Sequence, residues 1–167
     1  MNKPIRIVGI GGVSQSGKSS FAKSLAENIQ RSGKCVSVFD MDEFVLPEEQ
    51  VPQINGRTDW ELTESIDWDR LIQDVDQCKS EILIVEGIFV FSDEARRIPY
   101  DYLILVETDR DTFQKRRGGS HRWGKEPSWY LDHVWKSNLA LILNATPDIR
   151  IDGTGDINFE EIIDKLV

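Results

Sequence analysis

The sequence predicts a single α/β domain built on a mainly parallel sheet of five strands flanked by helices. Three observations carry that prediction. The runs Ile82-Leu83-Ile84-Val85 and Tyr102-Leu103-Ile104-Leu105-Val106 are continuously apolar, as expected of parallel strands covered on both faces. Strand-like and helix-like segments alternate along the chain, which is the pattern of βα units. The 167 residues suffice for one sizeable core, and no linker, repeat or low-complexity tract divides them.

The first strand, residues 5–10, reads Ile-Arg-Ile-Val-Gly-Ile and runs straight into glycines. A helix follows from Ser19 to Arg31, because Phe21, Leu25 and Ile29 fall four apart on one face, and Gly33 supplies a stop. Cys35 to Phe39 form the second strand, which ends in the acidic cluster Asp40-Met41-Asp42-Glu43. Residues 45–65 hold two prolines and one glycine without a clear period and read as a long functional loop. Helical spacing returns with Trp68, Leu71, Ile72, Val75 and Cys78, and Trp68 on that stripe has a packing role. After Val106, the polar residues 107–126 read as a short helix and then a mobile segment. Pro127 opens a long helix with the stripe Leu131, Val134, Trp135, Asn138, Leu141 and Ile142. Ile149-Arg150-Ile151 is the last strand, and Asn158 with Glu161 caps the final helix.

Composition narrows the function. Apolar content of 40% and charged content of 29% are those of an ordinary globular domain. With net charge −9 and a pI near 4.7, the chain lacks the basic stripe that nucleic-acid binding needs. The longest apolar stretch, Ile82 to Phe91, is too short for a bilayer and contains Glu86. Met1-Asn2-Lys3-Pro4 leads directly into a strand without the apolar region of a secretory leader, so the expectation is a cytoplasmic protein without membrane association. Cys35 and Cys78 are isolated and read as buried thiols in a reducing cytosol. His121 and His133 have no metal-ligand spacing and read as a loop contact and a local hydrogen bond.

Gly12-Val13-Ser14-Gln15-Ser16-Gly17-Lys18-Ser19 lies between a buried strand and an amphipathic helix, where a phosphate loop belongs. Triphosphate oxygens need many donors in a small concave space. Glycines let the backbone aim its N–H groups inward, and the helix N-terminus adds partial positive charge. Lys18 brings a point charge to the phosphates, and Ser19 offers magnesium a hard oxygen. The expected fold is therefore the three-layer P-loop NTPase fold, with ATP and Mg2+ as cofactors. A dinucleotide fingerprint starting at Gly9 fails, since its third glycine position is Ser14.

Phosphoryl transfer to an alcohol also needs an orienting carboxylate and a carboxylate for the metal shell. Asp42, after the second strand, and Glu86, which closes an apolar run ahead of Gly87, are the candidates at strand ends; Asp40 is the fallback for the former. Lys115, Arg116, Arg117, His121, Arg122 and Lys125 form a basic segment in an acidic chain, read as a lid over about 113–126 with Gly118-Gly119 as its hinge. Residues 42–69 hold nine acidic residues against Arg57 alone, which disfavours an acceptor that already carries phosphate.

These motifs resemble those of uridine kinases and nicotinamide riboside kinases. The phosphate loop, Asp42-Glu43-Phe44, Trp60-Glu61 ahead of Ser65-Ile66-Asp67, Ile-Leu-Ile-Val-Glu86-Gly87 and Arg116-Arg117 follow in that family's order. Asp132-His133-Val134-Trp135 is closer to the nicotinamide riboside branch. By resemblance, Gly12, Ser14, Ser16, Gly17, Lys18, Ser19 and Ser20 bind ATP together with Arg117. Lys18, Arg116 and Arg117 support catalysis around Asp42 as the base, and Ser19, Asp42 and Glu86 surround the metal. Trp60 stands beside the nucleobase, with Phe44 and Arg122 also at the acceptor, and Glu61 holds the ribose where the family usually has Asp. The implied partner is a small riboside-like alcohol, with pantothenate-like alcohols as the alternative. A GTPase switch would require a base-reading Asn-Lys-x-Asp, absent from this chain. A nucleotide-binding regulator without turnover would not require Asp42, Glu86 and a basic lid together.

Overall fold

The computed structural model describes residues 5–122 and 124–166. Met1–Pro4, on which the reading of the chain's start rests, lie outside the described residues, as do Trp123 of the expected lid and Val167. Five strands, β1 (Arg6–Gly11), β2 (Val36–Asp40), β5 (Ile82–Glu86), β6 (Tyr102–Glu107) and β7 (Ile149–Asp152), form one all-parallel sheet in the order β2-β5-β1-β6-β7. Between them, β3 (Gln53–Ile54) and β4 (Arg57–Thr58) make a small antiparallel hairpin.

Alternation sends successive strand residues to opposite faces. Val8, Ile10, Ile82, Ile84, Ile104 and Val106 pack under helices α1 (Lys18–Arg31) and α5 (Phe159–Leu166). Ile7, Leu83 and Val85 pack under α2 (Trp68–Gln77) and the turn-rich stretch holding Phe89, Val90 and Ile98. Trp68 is buried there, its indole N–H donating to the Thr63 carbonyl. This is the P-loop NTPase, nucleoside-kinase-like arrangement. Among the described residues, no helix is long and apolar enough to cross a membrane.

Three expectations are corrected. Cys35 is exposed just ahead of the edge strand β2, and Cys78 is only half-buried at the C-terminal end of the helix Trp68–Gln77. The segment 45–65 is a folded unit: Asn55 and Gly56 both adopt positive φ, 47° and 77°, which is the tight hairpin turn that an Asn-Gly pair favours. Helix α4 (Ser128–Ile142) buries Tyr130, Val134 and Asn138, a narrower stripe shifted to include Tyr130. Val134 and Tyr130 pack on Phe113 of α3 (Arg110–Gly118) and on Ile54 of the hairpin, so α3 and the hairpin dictate which face is covered.

Candidate active site

The phosphate loop leaves β1 and turns into α1. Gly12 must be glycine, because a Cβ there would lie 2.3 Å from the Val106 carbonyl oxygen. Gly17, the N-cap of α1, sits at φ 96°, a conformation that glycine adopts without strain. No side chain caps α1 and its first turn holds no acidic residue, so its free N–H groups are available to an anion. The Ser16 hydroxyl is buried without a partner. Beside Gln15, Lys18 and Ser19 opens a cavity of about 600 Å³, closed on its far side by Arg116, Gly153 and Phe159. Its size and uncapped helix end fit a nucleoside triphosphate.

The strand register brings the acids to this loop. Asp40 and Glu86 are direct neighbours at the ends of β2 and β5, and Ile10 of β1 lies beside Glu86. Asp40 is turned back to accept the Asp42 N–H at 2.8 Å, and burial raises its pKa. Burial lowers that of Lys18, while Glu86, Asp42, Asp40 and Glu61 oppose the shift. The ammonium has the Val13 carbonyl at 3.3 Å. Burial pushes the Glu86 carboxyl up to about 7, against a hydrogen bond from Ser19, and its Oε2 has no partner. Among the described residues, no group of three or more His, Cys, Asp or Glu is arranged to hold a metal. The expected set Ser19, Asp42 and Glu86, with Asp40 beside Glu86, still fits magnesium, which keeps waters and takes one or two carboxylates with phosphate oxygens.

A pH dependence follows. With its folded pKa raised, Glu86 keeps a proton between about 4.5 and about 7 that the unfolded chain releases. Metal-free stability should therefore fall as pH rises through that window. Glu86→Gln should remove this loss and stabilise the metal-free protein at pH 8 by on the order of 2 kcal/mol. Urea denaturation in EDTA at pH 5 and pH 8 checks it; equal pH dependence in variant and wild type would refute it.

Arg116 and Arg117 of α3 diverge. Arg116 donates to the carbonyls of Gln15 (2.9 Å) and Gly153 (3.3 Å) and lines the large cavity. Arg117 is buried, forked onto Glu126 (2.7 and 2.9 Å) and bonded to the Ser14 hydroxyl at 2.8 Å. Helix α3 ends at Gly118, so the Gly118-Gly119 pair marks the break between these arginines and Arg122. Arg122 reaches back to Asp42 at 3.1 Å, an exposed ion pair of small intrinsic worth.

Arg122 also lines a second cavity, of about 370 Å³, with Trp60, Tyr130, Arg57, Glu48 and Glu126. Three residues expected at the acceptor, Asp42, Phe44 and Glu61, are outside this lining. Phe44 is buried in the core under the guanidinium of Arg70, and Glu61 is buried and bonded to Asn138. Of the nine acidic residues in 42–69, only Glu48 is in the cavity lining. The charge count of a segment misjudges a pocket, because Asp67 caps α2, Asp69 pairs with Arg97, and Asp59 faces His133 at 2.9 Å. Sequence reading missed Glu126, Tyr130 and the bonding of Asn138. A polar residue on an apolar stripe must find partners, and that was the available signal for Asn138.

Fold and site together define a phosphotransferase of the P-loop kinase kind. Comparison with known proteins agrees at that level. No protein-family model matches the chain. Nicotinamide riboside kinase 1 of Mus musculus is 25% identical over 153 residues, covering 80% of this chain and 76% of that protein. Uridine kinase of Schizosaccharomyces pombe is 26% identical over 144 residues, covering 69% of this chain but 31% of that much longer protein. Among solved structures, a possible uridine kinase from Bacillus stearothermophilus superposes with a TM-score of 0.64 at 19% identity, over 91% of each chain. These likenesses support ATP- and magnesium-dependent kinase activity in general and leave the acceptor to be read from the pocket.

Proposed function

We propose that this protein transfers the γ-phosphate of ATP to the 5′-hydroxyl of a riboside, of the nicotinamide riboside or uridine and cytidine type, in the cytoplasm. The observation that carries this reading is the position of Asp42. It contributes to the field at Lys18 on one side and pairs with Arg122, which lines the Trp60 cavity, on the other. A hydroxyl presented from that cavity reaches the phosphate loop past Asp42. Asp42 accepts the hydroxyl proton as the new O–P bond forms and the bond to the β-phosphate oxygen breaks, releasing ADP. Lys18 and Arg116 hold the phosphates in place, and Ser19 with Glu86 holds the magnesium shell. Bound magnesium supplies charge neutralisation between the phosphates. Trp60 and Tyr130 give the acceptor's ring an aromatic wall.

One observation favours a second acceptor chemistry. Arg57 stacks on the Tyr130 ring at 4.8 Å, and no carboxylate lies within ion-pair distance of it among the described residues. A ring bearing a carboxylate would find its counter-charge there.

ATP consumption across ribosides, carboxylate-bearing ribosides, nucleoside monophosphates, pantothenate and simple sugars tests both. Turnover is expected on ribosides, with Trp60→Ala raising the acceptor KM on the order of tenfold. Activity confined to a phosphorylated acceptor would overturn the proposal.

A further inference from the structure

Asn138 is 1% exposed on α4, amid side chains that are otherwise apolar on that face. A buried amide is costly unless each of its groups is paired. Its Oδ1 accepts the backbone N–H of Ser14, in the phosphate loop, at 2.7 Å. Its Nδ2 donates to the buried carboxylate of Glu61, on the acceptor segment. The reversed amide would set donor against donor and acceptor against acceptor, so the two neighbours fix its orientation. The Ser14 hydroxyl is meanwhile held by Arg117, so Ser14 is gripped from α3 and α4 at once.

We propose that Asn138 is a positioning residue serving both substrates: one amide fixes the phosphate-loop backbone at Ser14 and orients the Glu61 carboxylate of the acceptor segment. The acceptor half rests on the riboside reading above; the phosphate-loop half does not. The groups facing Glu61 are Arg117 from α3, Asn138, His133 and Tyr130 from α4, Lys18 from α1, and Asp59 on its own segment. Burial raises the pKa of Glu61, and the bond from Asn138 is the largest influence opposing that rise.

Three variants separate the halves. Asn138→Leu removes both bonds. Asn138→Asp keeps an acceptor for the Ser14 N–H but sets a second carboxylate against Glu61, so the two share one proton. Glu61→Gln combined with Asn138→Asp restores an amide–carboxylate pair with the polarity reversed. ATP affinity is read by calorimetry without acceptor, and acceptor KM and its pH profile by turnover of uridine or nicotinamide riboside. Asn138→Leu is expected to weaken ATP binding and raise the acceptor KM, each on the order of tenfold. Asn138→Asp should hold ATP affinity within about threefold while its acceptor KM climbs steeply as pH rises, because the shared proton that lets the introduced carboxyl donate to Glu61 is lost. The double variant should recover folding stability and lose the steep rise of acceptor KM with pH.

Near-wild-type ATP affinity in Asn138→Leu would overturn the phosphate-loop half. Equal losses of ATP and acceptor binding in both single variants, with no change in the pH profile, would reduce the residue to a packing role and overturn the proposal. If wild-type protein turns over no riboside, the acceptor reading fails, and the ATP measurements still decide the role of Asn138 at Ser14.

Discussion

Lys18→Ala is expected to lower kcat/KM by on the order of 10³-fold or more while the fold stays intact. The ammonium lies at the base of α1, buried, in the combined field of Glu86, Asp42, Asp40 and Glu61. Its hydrogen bond to the protein is the long one to Val13, so the group is held for something other than the native contacts. Burial lowers its pKa, which means that the folded protein without ligand holds this charge at a cost. Removing it should leave the melting temperature unchanged or slightly raised, even as phosphate binding collapses. Turnover in saturating magnesium together with a thermal melt checks both statements. Near-normal turnover in this variant would end the assignment of residues 12–19 as the phosphate site.

Asp42→Asn is expected to reduce kcat by on the order of 10²- to 10⁴-fold with little change in ATP affinity, because an orienting carboxylate acts on the acceptor hydroxyl alone. Asp42 is exposed and paired with Arg122, whereas Asp40, two residues earlier, turns inward beside Glu86 and accepts the Asp42 N–H. Asp40→Asn keeps an oxygen for that N–H and should lose less. The comparison is made by single-turnover kinetics at fixed, saturating ATP. If Asp40→Asn abolishes turnover and Asp42→Asn does not, the base is Asp40 and Asp42 is its support.

The pair Arg116 and Arg117 shows how neighbouring residues part in function. On a helix, successive residues point about 100° apart, so one guanidinium meets the large cavity and the other is driven into the interior. There Arg117 needs a carboxylate, and Glu126 supplies it from beyond the break at Gly118-Gly119. Removing Glu126 would take a buried, bidentate carboxylate from a buried cation, which is more damaging than losing a surface pair.

The parallel sheet, its five strands and the phosphate loop were legible in the sequence because their causes are local. Residues 82–85 and 102–106 are apolar throughout since both faces are covered, and the Gly12 to Ser19 spacing must suit one tight turn into one helix. Asp42 and Glu86 were legible as candidates because strand ends in such sheets face the ligand. The hairpin at Asn55-Gly56 was written in its turn residues, but its two-residue strands are too short to show a period. What only the tertiary structure decided is the company each side chain keeps. Whether the acids of 42–69 face a pocket or a cap, that Glu61 finds Asn138, and which arginine is drawn inside depend on contacts across 77 to 103 positions of chain. Periodicity assigns a residue to a face; the opposing element, brought there by the fold, determines the partner it finds.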